Sequence, residues 1–329
     1  MAGWSPLSRA RQGAKPLRMT QMPDPQTPLR IGTRGSALAL AQAHETRDRL
    51  MAAHGLPEAA FQIVVIKTTG DRVLDRALKE IGGKGLFTRE IEDALLADEI
   101  DIAVHSMKDM PTLQPEGLLI DCYLPREDVR DAFVSMLYAG ISELPQGAVV
   151  GSSSLRRRAQ LAARRPDLQL VEFRGNVQTR LKKLEDGVAV ATFLAMAGLS
   201  RLGMVQIARQ PISPDEMLPA VAQGCIGVER RAGDQRAAAL LAPIANAESG
   251  LRVAAERAFL ARLDGSCQTP IAGLAVLTGD RLHLRGEILR PDGSEVIASA
   301  REGLASDGPA MGLDLAEELR GRAPADFFA

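Results

Sequence analysis

Residues 148–194 read AVVGSSSLRRRAQLAARRPDLQLVEFRGNVQTRLKKLEDGVAVATFL. Apolar runs at 148–150, 168–173 and 188–194 alternate with two polar stretches, 155–165 and 176–186, that have helix-forming composition. Pro166 ends the first helix, and Gly187 stands just past the second, where a left-handed residue is wanted. Continuous apolar runs, rather than strict alternation, fit strands covered on both faces. Strands alternating with helices imply βαβ units and a mostly parallel sheet.

The same grammar extends upstream. A strand at 29–33 runs into the turn Arg34-Gly35-Ser36 and an Ala/Leu-rich helix ending near residue 54. A strand at 61–67, a Gly-rich loop at 82–85, a helix at 88–97 and a strand at 100–104 follow, and the last leads into His105-Ser106-Met107-Lys108-Asp109. A second block opens near residue 126. Downstream the pattern changes: an Ala-rich helix at 248–262, strands at 271–277, 281–289 and 294–300 separated by turn signals, and a helix at 309–321. That order predicts a small α+β domain with a three-stranded antiparallel sheet. Residues 1–28 are polar and Pro-rich without the apolar core of a secretory signal, and are expected to be a disordered extension.

The chain of 329 residues is 25% charged and 46% hydrophobic, enough for two or three domains. Its net charge of -1 and 3% aromatic content argue against a nucleic-acid coat or a base-stacking platform. Of the 40 basic residues seven are Lys, so 33 are Arg. Arg matches carboxylates and phosphates in a bidentate way, although codon bias alone gives the same excess. Three widely spaced Cys fit neither a disulfide framework nor a metal motif, and point to a reducing compartment. No apolar run is long enough to span a membrane.

Residues 151–183 hold nine cations against Asp167 and Glu172. Arg156 and Arg157 fall in the first turn of a helix, where the dipole disfavours cations. Cations added to a helix start make sense if an anion binds there; a solvated basic face is the plainer alternative. Arg34, Arg174 and Arg201 likewise follow strands, Arg180 lies one turn into the helix after Asn176, and ligands of open α/β sheets bind outside strand carboxyl ends. Lys108-Asp109 follows another strand: the acid either stabilises developing positive charge or merely caps a turn. Gly82-Gly83-Lys84-Gly85 lacks P-loop spacing and reads as a lid carrying one cation. His105 reads as a packed strand-end residue, and Cys122 and Cys225 as structural. Cys267 sits in a turn between a helix and a strand with no sequence-local base.

Arg30-Ile-Gly-Thr-Arg-Gly-Ser36, Gly82-Gly-Lys-Gly-Leu-Phe87, His105-Ser-Met-Lys-Asp109, Gly151-Ser-Ser-Ser-Leu-Arg-Arg157, Arg174-Gly-Asn176, Leu218-Pro-Ala-Val-Ala-Gln-Gly224 and Gly265-Ser-Cys-Gln268 occur in this order. Together they resemble the porphobilinogen deaminase (hydroxymethylbilane synthase) family from about residue 29 onward. The resemblance implies two periplasmic-binding-protein-like α/β domains with mostly parallel central sheets, residues 29–124 with 225–243 and residues 125–224, plus a small C-terminal α+β domain, 244–329. It implies a transferase that joins four porphobilinogen units head to tail, releasing ammonia, on a dipyrromethane cofactor attached through Cys267.

By the same resemblance Asp109 is the catalytic acid. Ser106, Lys108, Ser154, Arg156, Arg157 and Arg180 hold the cofactor, while Arg34, Ser36, Gln42, Arg174, Asn176 and Arg201 serve the substrate. Lys84 and Phe87 belong to a mobile loop. A cytoplasmic monomer with a small-molecule substrate, no metal, and no nucleic-acid or membrane partner is expected. A periplasmic-type solute receptor would share the fold, but it calls for a signal peptide and needs no Cys-bearing third domain.

Overall fold

The structure, a computed structural model, describes residues 22–69, 88–265 and 269–328. Its elements in chain order begin with β1 (Leu29–Thr33), α1 (Ala37–His54), β2 (Phe61–Val65), α2 (Arg89–Leu96), β3 (Ile102–Ser106) and β4 (Leu118–Tyr123). There follow β5 (Asp131–Ser135), β6 (Val149–Gly151), α3 (Leu155–Arg164), β7 (Gln169–Val171), α4 (Val177–Glu185), β8 (Ala191–Ala195), α5 (Met196–Arg201) and β9 (Gln210–Pro211). The chain ends through β10 (Ile226–Arg231), α6 (Gln235–Leu241), α7 (Ala247–Arg262), β11 (Ile271–Thr278), β12 (Arg281–Leu289), β13 (Val296–Leu304) and α8 (Gly308–Arg322).

Two five-stranded sheets, β2-β1-β3-β10-β4 and β7-β6-β8-β5-β9, are accompanied by the antiparallel sheet β11-β12-β13. β1 pairs in parallel with β2 and β3, whereas β10 is antiparallel to both β3 and β4. β6 likewise pairs in parallel with β7 and β8, and β5 is antiparallel to β8 and β9. In each large sheet one strand therefore runs against the other four. That strand is the one by which the chain enters from the other unit: β5 after the first crossing, β10 after the second. Each large sheet carries an apolar cluster on both faces, as its continuous apolar runs require.

The strand following α2 is displaced from its expected 100–104 to 102–106. Ile100 is buried under Gly32 without joining the ladder, and Asp101 spends its carboxylate on Arg30, at 2.7 Å to the backbone N and 2.8 Å to Nη2. Hydrophobic runs report burial, whereas strand limits report pairing. Residues 22–28, expected to be disordered, form an ordered turn. The Asp24 carboxylate accepts from the backbone N of Gln26 at 2.7 Å and of Thr27 at 2.8 Å. Residues 1–21 lie outside the described residues.

The two crossings meet the third unit at one buried point. Arg126, in the first, donates through Nη1 and Nη2 to Glu256 of α7 at 2.6 and 3.0 Å. Glu256 is fully buried and also accepts from Ala222 N in the second crossing (2.6 Å) and from Ala275 N of β11 (2.7 Å). Beside it Gly224 adopts φ +86°, and a Cβ there would come within 2.5 Å of the Glu127 carbonyl oxygen. Only glycine allows the crossings this close. The core of the third unit, centred on Phe259, Leu315 and Leu319, runs on through Val221 and Cys225 to Met107 and Met110.

Removing one partner of a buried ion pair strands the other. Glu256→Ala is expected to cost roughly 3–5 kcal/mol of unfolding free energy. Equilibrium urea unfolding checks this, and a loss below about 1 kcal/mol would exclude a stabilising role.

Candidate functional site

β1 and β3 lie side by side and end together. The turn after β1 carries Arg34, half-buried, and Ser36, whose Oγ accepts from Ala39 N at 3.2 Å and caps α1. β3 turns after Ser106 into a single 3-10 turn, Met107–Asp109. Gln42, buried one and a half turns into α1, donates through Nε2 to Ser106 Oγ at 2.7 Å and ties the two strand ends together. Arg34, Ser36, Gln42, Ser106 and Asp109 line one cavity, and Asp109 is exposed. His105 lies beneath it with Nε2 3.0 Å from Glu229 Oε2, both residues buried, as a packed strand-end residue would be.

A second cluster forms where α3 starts. Ser154 Oγ caps α3 by accepting from Arg157 N at 3.4 Å. Arg156 and Arg157 are buried, and both donate to Asp131, at the head of β5: Arg156 Nη2 to Oδ2 and Arg157 Nη2 to Oδ1, each at 2.7 Å. Arg156 also donates to the Leu218 carbonyl and Arg157 to that of Phe193, each at 2.8 Å. Burial works to raise the Asp131 carboxyl, but the two guanidinium charges outweigh it and hold the group well below the usual carboxylate range. The expectation that cations at this helix start need a bound anion is thus corrected in part. One anion is internal, and a local charge count could not place Asp131, 25 residues before Arg156.

One carboxylate shared by two guanidinium groups leaves the cluster cationic. Among the described residues the Nε atoms of Arg156 and Arg157 are buried without a partner. Arg180 donates through Nε to the Gly175 carbonyl at 2.9 Å and has no carboxylate partner among the described residues. Burial, with the charge of Arg157 behind it, brings Arg180 down to about 10, still cationic at neutral pH. Lys108 reaches the same cluster. Burial lowers its ammonium group, an effect that Asp109 only partly opposes.

Other expected site residues are already engaged. Asn176 Oδ1 caps α4, accepting from Thr179 N at 2.9 Å. Arg201, at the end of α5, donates through Nε to Glu45 of α1 at 2.9 Å and through Nη2 to the Gly224 carbonyl at 3.2 Å. Arg174 is half-buried ahead of α4, and its carbonyl accepts from Lys183 Nζ at 3.0 Å. Arg174, Asn176 and Arg201 do not line the Asp109 cavity. Cys267, Lys84 and Phe87 lie outside the described residues. The sequence reading missed Asp131, Glu45 and Gln223. Only Asp131 left a signal, an acid opening the otherwise apolar run Asp131-Ala-Phe-Val.

Residues 29–239 match the family model "Porphobilinogen deaminase, dipyromethane cofactor binding domain", and residues 250–321 match "Porphobilinogen deaminase, C-terminal domain". A curated porphobilinogen deaminase of Paracoccus denitrificans (strain Pd 1222) is 86% identical over 310 residues, covering 94% of this chain and 99% of that protein. Among solved structures, a periplasmic substrate-binding protein of an ABC transporter from Coxiella burnetii is 13% identical, covering 70% of this chain and 96% of its own at a TM-score of 0.40. A YaeC-family lipoprotein from Enterococcus faecalis V583 is 16% identical, covering 67% and 92%, also at 0.40. With two family models spanning most of its length and so close a relative, the chain belongs to the porphobilinogen deaminase family.

Proposed function

We propose that the cavity at the ends of β1 and β3 is where this transferase performs its reaction, with Asp109 as its catalytic acid. The reaction condenses four porphobilinogen units head to tail, releases ammonia with each, and yields hydroxymethylbilane. The observation that carries the assignment is that one exposed carboxylate stands among Arg34, Ser36, Gln42 and Ser106 in a single cavity. When ammonia departs with the electron pair of its C–N bond, the substrate becomes a cation. A fixed carboxylate beside the pyrrole N–H accepts that hydrogen bond and stabilises the cation as it forms. Arg34, Ser36, Gln42, Arg174, Asn176 and Arg201 serve the substrate's two carboxylates. For Arg201 this requires exchanging Glu45 for a substrate carboxylate; for Ser36 and Asn176 it rests on the backbone N–H groups that their caps orient.

The dipyrromethane cofactor, when bound, supplies the pyrrole on which the chain grows. Among the described residues the donor set beside α3 fits its carboxylates: two buried Nε atoms without a partner, Arg180 with no carboxylate, and Asp131 shared by two cations. Ser106, Lys108, Ser154, Arg156, Arg157 and Arg180 hold it in this reading, and Cys267 attaches it.

The proposed domains are 29–124 with 225–243, 125–224, and 244–329, a division supported by the membership of the three sheets. We further propose a cytoplasmic monomer with porphobilinogen as its partner and no nucleic-acid or membrane partner. The near-zero net charge and the free, buried thiols of Cys122 and Cys225 support this reading.

Intact mass spectrometry of the purified chain is expected to show a covalent adduct of two porphobilinogen-derived units, absent in Cys267→Ser. An unmodified wild-type mass from a host that makes porphobilinogen would overturn the attachment. Asp109→Asn keeps shape and removes charge, so kcat should fall by about a hundredfold or more while KM changes little. Steady-state kinetics measure this, and near-normal turnover would remove Asp109 from the reaction.

A further inference from the structure

Gln223 lies in the second crossing and is 1% exposed. Its side-chain amide is used on both sides. Nε2 donates to the Val129 carbonyl at 2.8 Å and to Asp131 Oδ1 at 2.9 Å, and Oε1 accepts from Lys108 Nζ at 3.4 Å. Two acceptors on one side and a pure donor on the other fix the amide's orientation by chemistry. Its backbone carbonyl accepts from Arg126 Nε at 2.9 Å, so the residue cannot shift without disturbing the Arg126–Glu256 pair. Two residues on, the Cys225 carbonyl accepts from Met107 N at 3.0 Å.

The partners belong to opposite halves of the site. Lys108 shares the 3-10 turn with Asp109, and Asp131 holds Arg156 and Arg157. We infer that Gln223 is a positioning residue that sets the Asp109 turn of the first α/β unit at a fixed distance from the guanidinium cluster of the second. The chain Lys108–Gln223–Asp131–Arg157 is continuous in hydrogen bonds. It makes the place of the acid depend on where the cationic cluster stands. A carboxylate at position 223 would meet Asp131 with like charge, and an apolar side chain would leave Lys108 and Asp131 each short of a bond. Only a neutral group that both donates and accepts satisfies the two. The inference rests on the proposed placing of the Met107–Asp109 turn in the site.

Two variants of the cofactor-loaded enzyme test it. Gln223→Leu keeps the volume and removes both links. kcat is expected to fall by about ten- to a hundredfold, with KM within about threefold and the covalent adduct still present by mass. Gln223→Glu is the sharper probe, because a protonated carboxyl has the amide's shape and donates to Asp131 while accepting from Lys108. Among the described residues the charged groups around it are Asp131, Lys108, Arg126, Arg156 and Arg157, with Glu256 paired to Arg126 and Asp109 beside Lys108. The ratio of its kcat to wild type should therefore rise as pH is lowered, a trend that generalised loosening would not produce.

A ratio that stays flat with pH, or a Gln223→Leu enzyme with kcat within threefold of wild type, would overturn the bridge. Should Gln223→Leu not fold, the pH trend of Gln223→Glu decides alone. If Asp109→Asn turns over normally while the Gln223→Glu ratio still climbs in acid, the assignment of Asp109 fails and the bridge stands.

Discussion

The buried pair between Arg126 and Glu256 is the constraint on which the rest depends. Side-chain exposure is 1% and 0%, so neither charge has water to fall back on, and each must be satisfied by the fold. Glu256 takes bonds from the first crossing, the second crossing and β11. A single carboxylate thus fixes both chain passages between the α/β units and docks the third unit against them. With Gly224 pressed on Glu127, the crossings form a closely packed seam.

From that seam the site follows. Gln223 leaves it toward Lys108 and Asp131, and the Cys225 carbonyl holds Met107. The 3-10 turn bearing Asp109 is therefore anchored from behind by the second crossing, while Gln42 secures its preceding strand from the side of α1. Arg201 and Glu45 add a further ion pair between the units. Among the described residues Asp131 is the one carboxylate hydrogen-bonded to Arg156 and Arg157, and their Nε atoms stay buried without a partner, a balance suited to a ligand that brings its own carboxylates. A site with no internal anion would hold Arg156 and Arg157 apart by repulsion; a fully compensated one would have no use for the ligand's charge.

The alternation of apolar runs with helices made both α/β units legible, because burial on two faces and helix propensity are local properties. The caps Ser36, Ser154 and Asn176 rest on equally local contacts, each within three residues of itself. Arg34 and Asp109 could be nominated because ligands of such sheets bind beyond strand carboxyl ends, whereas Ser106 came from the family resemblance alone. Strand limits such as 102–106 were not legible, because pairing is decided by the neighbouring strand.

By itself, then, the sequence determined the fold class, the order of elements and the family, all of which reside in short-range pattern and ordered motifs. It also named most of the charged side chains that meet at the site. Only the tertiary structure decided how those charges are spent: that Asp131 answers Arg156 and Arg157, that Glu45 answers Arg201, and that Gln223 joins Lys108 to Asp131. Those partners stand 25 to 156 residues apart in sequence. A buried charge selects its counter-ion by distance in space, and no local pattern carries that distance.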